Sequence, residues 1–199
     1  MGQIIGITGG IASGKSSVSL YIQELGFTIV DADVASRAVV EPGEEAYHQV
    51  VKAFGEDILL VDGNIDRVKL GSIIFHDQEK RLLLNSIVHP AVRNWMRIKT
   101  EKALAAGEET VFMDIPLLFE SKLTFMVEKT LLVYVDERVQ LERLMNRNGL
   151  SETDALARIQ SQMPLADKKV LADAVIDNNG NLEETKKQVK TVLCNWNVL

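Results

Sequence analysis

The sequence predicts an α/β fold: a doubly wound, five-stranded parallel sheet in three layers, carrying a helical substrate insertion and a helical lid. Three observations lead there. Five short β-rich runs, at 4–8, 28–31, 110–114, 130–135 and 174–177, alternate with helical patterns, as in parallel βαβ units. A glycine-rich octet, Gly9-Gly10-Ile11-Ala12-Ser13-Gly14-Lys15-Ser16, follows the first run and opens the first helix. Between the second and third runs, residues 32–107 show helical patterns and no convincing strand, far more chain than a crossover requires.

The first run, Gln3–Thr8, is apolar enough to be a strand buried on both faces. The octet after it fits G-x-x-x-x-G-K-[ST], with Gly9, Gly14, Lys15 and Ser16 in the fixed places. Gly9 and Gly14 let the main chain turn where a Cβ would clash, so that successive N–H groups point at phosphate oxygens. Lys15 supplies a cation for the outer phosphates, and the Ser16 hydroxyl can ligate Mg²⁺. Residues 15–25 carry Val18, Leu20, Ile22 and Leu25 without Pro or Gly, a helix expected to stop at Gly26. This strand–loop–helix order makes a phosphate loop. It sets Gly10, Ile11, Ala12, Ser13, Gly14, Lys15, Ser16 and Ser17 around a nucleotide's phosphates, where the helix adds its dipole and free N–H groups.

The second run ends in Asp31-Ala32-Asp33, at the edge where open α/β sheets bind ligands. A carboxylate there can orient and deprotonate an acceptor hydroxyl. Asp33 is the first candidate; Asp31 and Asp114 stay open, and each could instead cap a helix or turn. In the insertion, helical patterns cover 46–54, 67–75 and 79–104, punctuated by Glu41-Pro42-Gly43 and Val61-Asp62-Gly63-Asn64. Arg67 reads either as half of a solvated salt bridge at a helix start or as a phosphate-binding residue. His89 precedes Pro90 and is expected in extended backbone, ending the 81–88 helical pattern. His48 and His76 read as structural.

Asp114 closes the third run with the look of a Walker-B carboxylate that holds Mg²⁺ directly or through water. Leu117, Leu118 and Phe119 after it are expected to wall a cleft, with Glu120 on its substrate side or capping a helix. Region 137–171 is helical and carries Arg138, Arg143, Arg147 and Arg158. Arg143 and Arg147 share one helical face and need an anion opposite, unless that face is simply solvated. Arg158 can pair with Asp154 instead. The last run leads into Asn178-Asn179-Gly180, a base contact or a turn and cap before Leu182. The expected organisation is one domain, with a nucleotide-binding core at 1–36, 108–136 and 172–199, a substrate insertion at 37–107 and a lid at 137–171.

A net charge of −6, with 46% hydrophobic and 25% charged residues, argues against a nucleic-acid or acidic-membrane surface but leaves room for a local basic pocket. The single cysteine, Cys194, allows no internal disulfide. It is expected to pack within the last helix, and the cytoplasm is the expected compartment. No basic leader or membrane span is read. Oligomeric state is left open.

A GTP-dependent switch would need a Lys in the N-K-x-D position, and residues 175–180 lack one. A dinucleotide oxidoreductase would need G-x-G-x-x-G, which is absent. A small-molecule kinase suits the length, the insertion and the arginines, because such enzymes close a lid to exclude water. A kinase of the nucleoside monophosphate type for another metabolite, and a non-catalytic regulatory module, remain as alternatives.

The sequence resembles the dephospho-coenzyme A kinase family. The likeness rests on residues 6–16, on Asp31-Ala32-Asp33 with Arg37, and on Phe54-Gly55. It continues through Ile65-Asp66-Arg67 with Leu70 and Phe75, His89-Pro90, Pro116-Leu117-Leu118-Phe119-Glu120, Gln162 and Asp177-Asn178-Asn179-Gly180. The resemblance implies transfer of the γ-phosphoryl of ATP to the ribose 3′-hydroxyl of dephospho-CoA, the last step of coenzyme A synthesis, with Mg²⁺. It implies Asp33 as base, Lys15 and Arg143 at the transferring group, and Arg147 and Asn178 on the nucleotide. Arg67, His89, Leu117 and Glu120 fall on the acceptor side, and Ser16 and Asp114 on the metal. Ala12 and Ser17 depart mildly from forms with Gly and Thr.

Overall fold

A computed structural model of the chain describes residues 2–75 and 77–199. In chain order it runs β1 (Gln3–Gly9), α1 (Lys15–Glu24), β2 (Thr28–Asp31), α2 (Ala32–Ala38), α3 (Glu45–Phe54), α4 (Arg67–Phe75) and α5 (Gln78–Ala105). It continues through β3 (Thr110–Asp114), β4 (Lys129–Tyr134), α6 (Glu137–Asn148), α7 (Glu152–Gln160), α8 (Leu165–Leu171), β5 (Ala174–Asp177) and α9 (Leu182–Asn195). Two compact units result: Met1–Val30 with Lys102–Leu199, and Asp31–Glu101.

The first unit holds the sheet, in the order β2-β3-β1-β4-β5. The central strand β1 pairs in parallel with β3, Ile7 opposite Asp114, and with β4, Gly9 opposite Val133. β4 pairs in parallel with β5, Tyr134 opposite Asp177. This register brings the carboxyl ends of β1, β3, β4 and β5 to one edge. The strands read as near-continuous apolar runs because helices cover both faces. On one face Ile5, Ile7, Phe112, Leu131, Val133 and Ile176 meet Val18 and Ile22 of α1 and Val189 and Leu193 of α9. On the other, Leu132 and Val135 lie against Leu165 of α8. Each such fully buried Ile or Leu stabilises the unit by roughly 1.5–3 kcal/mol over leaving it exposed. A smaller core of Leu144, Ala155 and Ile159 joins α6 to α7, and Ile11 and Ala12 of the phosphate loop pack against it.

In the second unit, Val50, Ile58, Ile65 and Leu70 form the core. An isolated antiparallel bridge, Leu59 with Ile65, closes the Asp62-Gly63 turn, and Tyr47 donates its hydroxyl to Gly63 O at 2.7 Å. Asp66 starts α4 by accepting the N–H groups of Val68 and Lys69, each at 3.0 Å.

Two expectations are corrected. His89 does not end a helix: α5 continues through Pro90. Pro90 lacks an N–H, so the ladder loses the bond to the Ser86 carbonyl one turn earlier, and both His89 and Pro90 are exposed. Cys194 does not pack inward. α9 buries Thr185, Val189 and Leu193, a four-residue repeat that leaves position 194 on the outer face, where Cys194 is exposed.

Candidate active site

β1 delivers the chain to the loop, and α1 begins at Lys15. Gly14 sits at φ 89°, a left-handed conformation in which a side chain is strained. A Cβ on Gly9 would come within 2.5 Å of Ser13 Oγ, so the close turn also needs glycine there. Ala12 holds φ 59° despite its Cβ. Side chains from distant elements hold the loop. Lys168 Nζ donates to Gly9 O at 2.8 Å, and Gln140 Nε2 donates to Ile11 O at 2.8 Å. Asn178 Nδ2 donates to Ser13 O at 2.8 Å, while Gln162 Oε1 accepts the Ile11 N–H at 2.8 Å. Among the described residues the main-chain N–H groups of Gly14, Lys15 and Ser16 have no protein acceptor. These donors at the helix start suit an anion.

Asp114 is buried, and its carboxylate takes the Lys15 ammonium on one oxygen and the Ser19 hydroxyl on the other at 2.6 Å. Asn178 is likewise committed: besides Ser13 O it accepts from Thr185 Oγ1 at 2.7 Å, and its carbonyl takes Arg143 Nη2 at 2.9 Å. Arg143 is half-buried and Arg147 exposed, the latter bonded to Asn148 Oδ1 at 2.9 Å. Asn179 Oδ1 accepts the Asp136 N–H at 2.9 Å, and Asn181 caps α9 in a capping box with Glu184. At the end of β4, Tyr134 donates to Asp136 Oδ1 at 3.0 Å. That hydrogen bond first, then burial, raises the phenol's pKa above its usual value.

A phosphate loop with a buried acid facing its lysine is common to many nucleotide enzymes; the rest of the chain decides among them. The dephospho-CoA kinase family model matches residues 3–184. The chain belongs to that family. It is 57% identical over 195 residues to the dephospho-CoA kinase of Geobacillus kaustophilus, covering 98% of this chain and 97% of that one. The solved dephospho-CoA kinase of Campylobacter jejuni superposes with a TM-score of 0.76 at 26% identity, covering 98% of each chain. A solved Thermus thermophilus protein, TT1252, superposes with a TM-score of 0.79 at 35% identity, covering 98% of this chain and 97% of that one.

The kinase's other predicted residues fall as follows. Asp31 caps α2, its Oδ1 accepting the N–H groups of Asp33 at 2.6 Å and Val34 at 3.1 Å. Asp33, in the first turn of α2, is exposed. Arg67 Nη2 reaches Arg37 O at 3.5 Å. Leu118 and Phe119, expected in a cleft wall, are buried in the protein, whereas Leu117 is 41% exposed. Glu120 Oε1 pairs with Lys168 at 2.7 Å and accepts the Met163 N–H at 3.1 Å. His48 packs edge-on against the Tyr47 ring; His76 lies outside the described residues. Sequence alone does not single out Lys168, Gln140 and Ser19, because each meets the site through a contact far along the chain.

Among the described residues no group of three or more His, Cys, Asp or Glu could hold a metal. One buried carboxylate plus a loop serine is instead the sparse donor set of a Mg²⁺ shared with substrate phosphates, so Ser16 and Asp114 fit that ion.

Proposed function

We infer that this kinase transfers the γ-phosphoryl group of ATP to the ribose 3′-hydroxyl of dephospho-CoA, giving coenzyme A and ADP. Its family membership supports the overall reaction. The contrast among three carboxylates supports Asp33 as the base. Asp31 is engaged in capping α2, and Asp114 is held by Lys15 and Ser19. Asp33 is exposed, with no side-chain hydrogen bond or ion pair among the described residues. Asp33 therefore orients the acceptor hydroxyl and takes its proton.

The loop from Gly10 to Ser17 cradles the phosphates of ATP, with Lys15 on the outer ones. Ser16 and Asp114 would hold Mg²⁺, which would supply positive charge against that of the phosphates. Arg143 keeps guanidinium N–H groups beyond the one given to Asn178 O, and Arg147 stands exposed one turn on. The two supply positive charge to the transferring group as the 137–171 lid closes. Asn178 fixes the loop beside the nucleoside. Residues 1–36, 108–136 and 172–199 make the nucleotide core, and 37–107 receives the acceptor.

Arg67 and His89 serve the acceptor within that insertion and Leu117 serves it from the segment after β3, where the Glu120 carboxylate is engaged by Lys168 and the Met163 N–H. Within the helical unit, Arg67 borders a cavity of about 210 Å³ that Ile65, Leu70, Ile74, Leu84 and Val88 also line. A mostly apolar lining with one guanidinium suits an acceptor that joins an apolar arm to a phosphate. Among the described residues no helix is long and apolar enough to cross a membrane. The exposed, unpaired Cys194 suits a reducing cytoplasm.

The test is ADP release with dephospho-CoA against a panel of nucleoside monophosphates and sugars, with the position of the new phosphate read on the product. Turnover confined to dephospho-CoA and phosphorylation at the 3′ oxygen is the expected result. ATP binding without dephospho-CoA turnover would sink the assignment.

A further inference from the structure

The phosphate loop is wired from outside in an alternating pattern. The carbonyls of Gly9, Ile11 and Ser13 are held by Lys168, Gln140 and Asn178, each at 2.8 Å. In a trans peptide the N–H points opposite to the C=O. Pinning those three carbonyls outward therefore turns the N–H groups of Gly10, Ala12 and Gly14 to the other side of the loop. Successive inward N–H groups form an anion-binding concavity. Three side chains from three elements thus set the concavity's shape: α8, α6 and the segment after β5.

Lys168 differs from the other two in being a cation. Its side chain is wholly buried and paired with Glu120 Oε1 at 2.7 Å. Besides Gly9 O, it reaches Pro116 O at 3.4 Å. Thr8 donates to that same Pro116 carbonyl at 3.1 Å, so one ammonium ties together the end of β1, the segment after β3 and Glu120. Burying an ammonium and a carboxylate is a poor way to stabilise a fold, since apolar residues of similar volume often do as well. A bare packing role does not explain the pair. The position of its donors against Gly9 does.

We propose that Lys168, with Glu120 as its counter-ion, is a positioning residue of the phosphate site. The ammonium fixes the peptide between Gly9 and Gly10 and places positive charge behind the loop. This rests on the reading that the loop binds the phosphates of ATP, which the parent enzyme's own ATP titration checks separately.

The experiment measures equilibrium binding of ATP and ADP to the full-length enzyme by calorimetry without acceptor, together with thermal unfolding and the KM for dephospho-CoA. Lys168→Met is expected to weaken ATP and ADP by about tenfold or more. It should leave the acceptor KM within about twofold of parent, and lower the unfolding midpoint because Glu120 is left without its cation. Lys168→Met combined with Glu120→Gln removes that stranded charge. Its unfolding midpoint should return toward parent while ATP stays weak. Gln140→Leu, which frees Ile11 O without altering charge, should also weaken ATP, by roughly threefold or more.

Recovery of ATP affinity along with stability in the double variant would overturn the proposal, as would equal losses for ATP and acceptor in Lys168→Met. If Lys168→Met does not fold, the double variant and Gln140→Leu decide. A parent enzyme that fails to bind ATP removes the phosphate-site reading itself. Tight parental binding that Lys168→Met and Gln140→Leu both leave unchanged removes only the positioning role.

Discussion

Asp114→Asn separates two jobs that one carboxylate can do. Asp114 is 2% exposed and balances Lys15, whose side chain is 15% exposed. Asparagine keeps the shape and can still accept from Ser19, but it removes the charge. Opposite charges in contact attract by about 4 kcal/mol at an effective dielectric constant near 20. Much of that is offset because the carboxylate no longer has to be desolvated. Because Lys15 keeps some contact with water, the net loss should fall between the ~0–1 kcal/mol of an exposed pair and the ~3–5 kcal/mol of a buried one, at about 1–2 kcal/mol. At about 2–4 °C per kcal/mol for a chain of this size, the unfolding midpoint should fall by roughly 2–8 °C.

The same substitution should act on ATP binding with a sign that depends on Mg²⁺. Without the metal, Asp114 competes for Lys15 and repels phosphate. The variant should then bind ATP more tightly than the parent in EDTA, on the order of tenfold for one removed charge. With Mg²⁺ present, the proposed role of the carboxylate as a metal ligand predicts that the parent binds more tightly. Calorimetric titration in the two buffers checks this. An identical ratio of variant to parent affinity in EDTA and in Mg²⁺ would refute the reasoning and leave Asp114 as a structural partner of Lys15 alone.

Asp33→Asn should reduce turnover by ~10²-fold or more while ATP affinity stays within about twofold; near-parental turnover would remove Asp33 as the base. Ala12→Gly should relieve the strain of a Cβ at φ 59°, worth about 1–2 kcal/mol, against an entropic cost of about 0.5–1 kcal/mol. A rise of about 1–2 °C in the unfolding midpoint is expected, and a fall would mean that the Ala12 methyl contributes more through its packing on the α6–α7 core. Asp136→Ala removes the acceptor that favours the neutral Tyr134 phenol, so that tyrosine should ionise at lower pH in an alkaline absorbance titration. A titration curve unchanged from the parent would show that the hydrogen bond is not the cause.

What could be read from the chain was what local physics controls. The β1–loop–α1 unit announces itself because glycine spacing, strand apolarity and helix start all occur within one stretch, and β2, β3 and β5 fall where β-rich runs predict them. Pro90 misleads because its bias on the preceding residue is local. The apolar packing of Leu84, Ile87 and Val88 on one side and buried Met96 and Thr100 on the other carries α5 across it. The sequence ranks Asp33 ahead of Asp31 but leaves Asp31 open; the backbone at the start of α2 shows that the Asp31 carboxylate is the one consumed as a cap. Lys168 and Lys169 are neighbours with the same chemistry. One is wholly buried against Gly9 O, 159 positions away, and the other rests over the Tyr134 ring at 4.7 Å. No local pattern distinguishes them.

The phosphate loop and the arginine-bearing region cannot be treated as a fixed site and a separate lid. α6 carries Gln140, which holds Ile11 O, and one turn further Arg143, which holds Asn178 O. Asn178 in turn holds Ser13 O. Ile11 is also gripped at its N–H by Gln162, and its side chain packs on the α6–α7 core. A motion that brings Arg143 over the phosphates must therefore pivot about Gln140 or break a bond that shapes the loop. Breaking it would release the Ile11 carbonyl at the moment the Ala12 N–H is needed for phosphate. The pivot would give up the Arg143–Asn178 contact, and under the proposed role of Arg143 phosphate oxygens would replace that carbonyl as acceptor. Under the proposed function the octet's lysine and serines act on the phosphates directly, but the loop's main chain is held by Gln140, Gln162, Lys168 and Asn178, all near the other end of the chain.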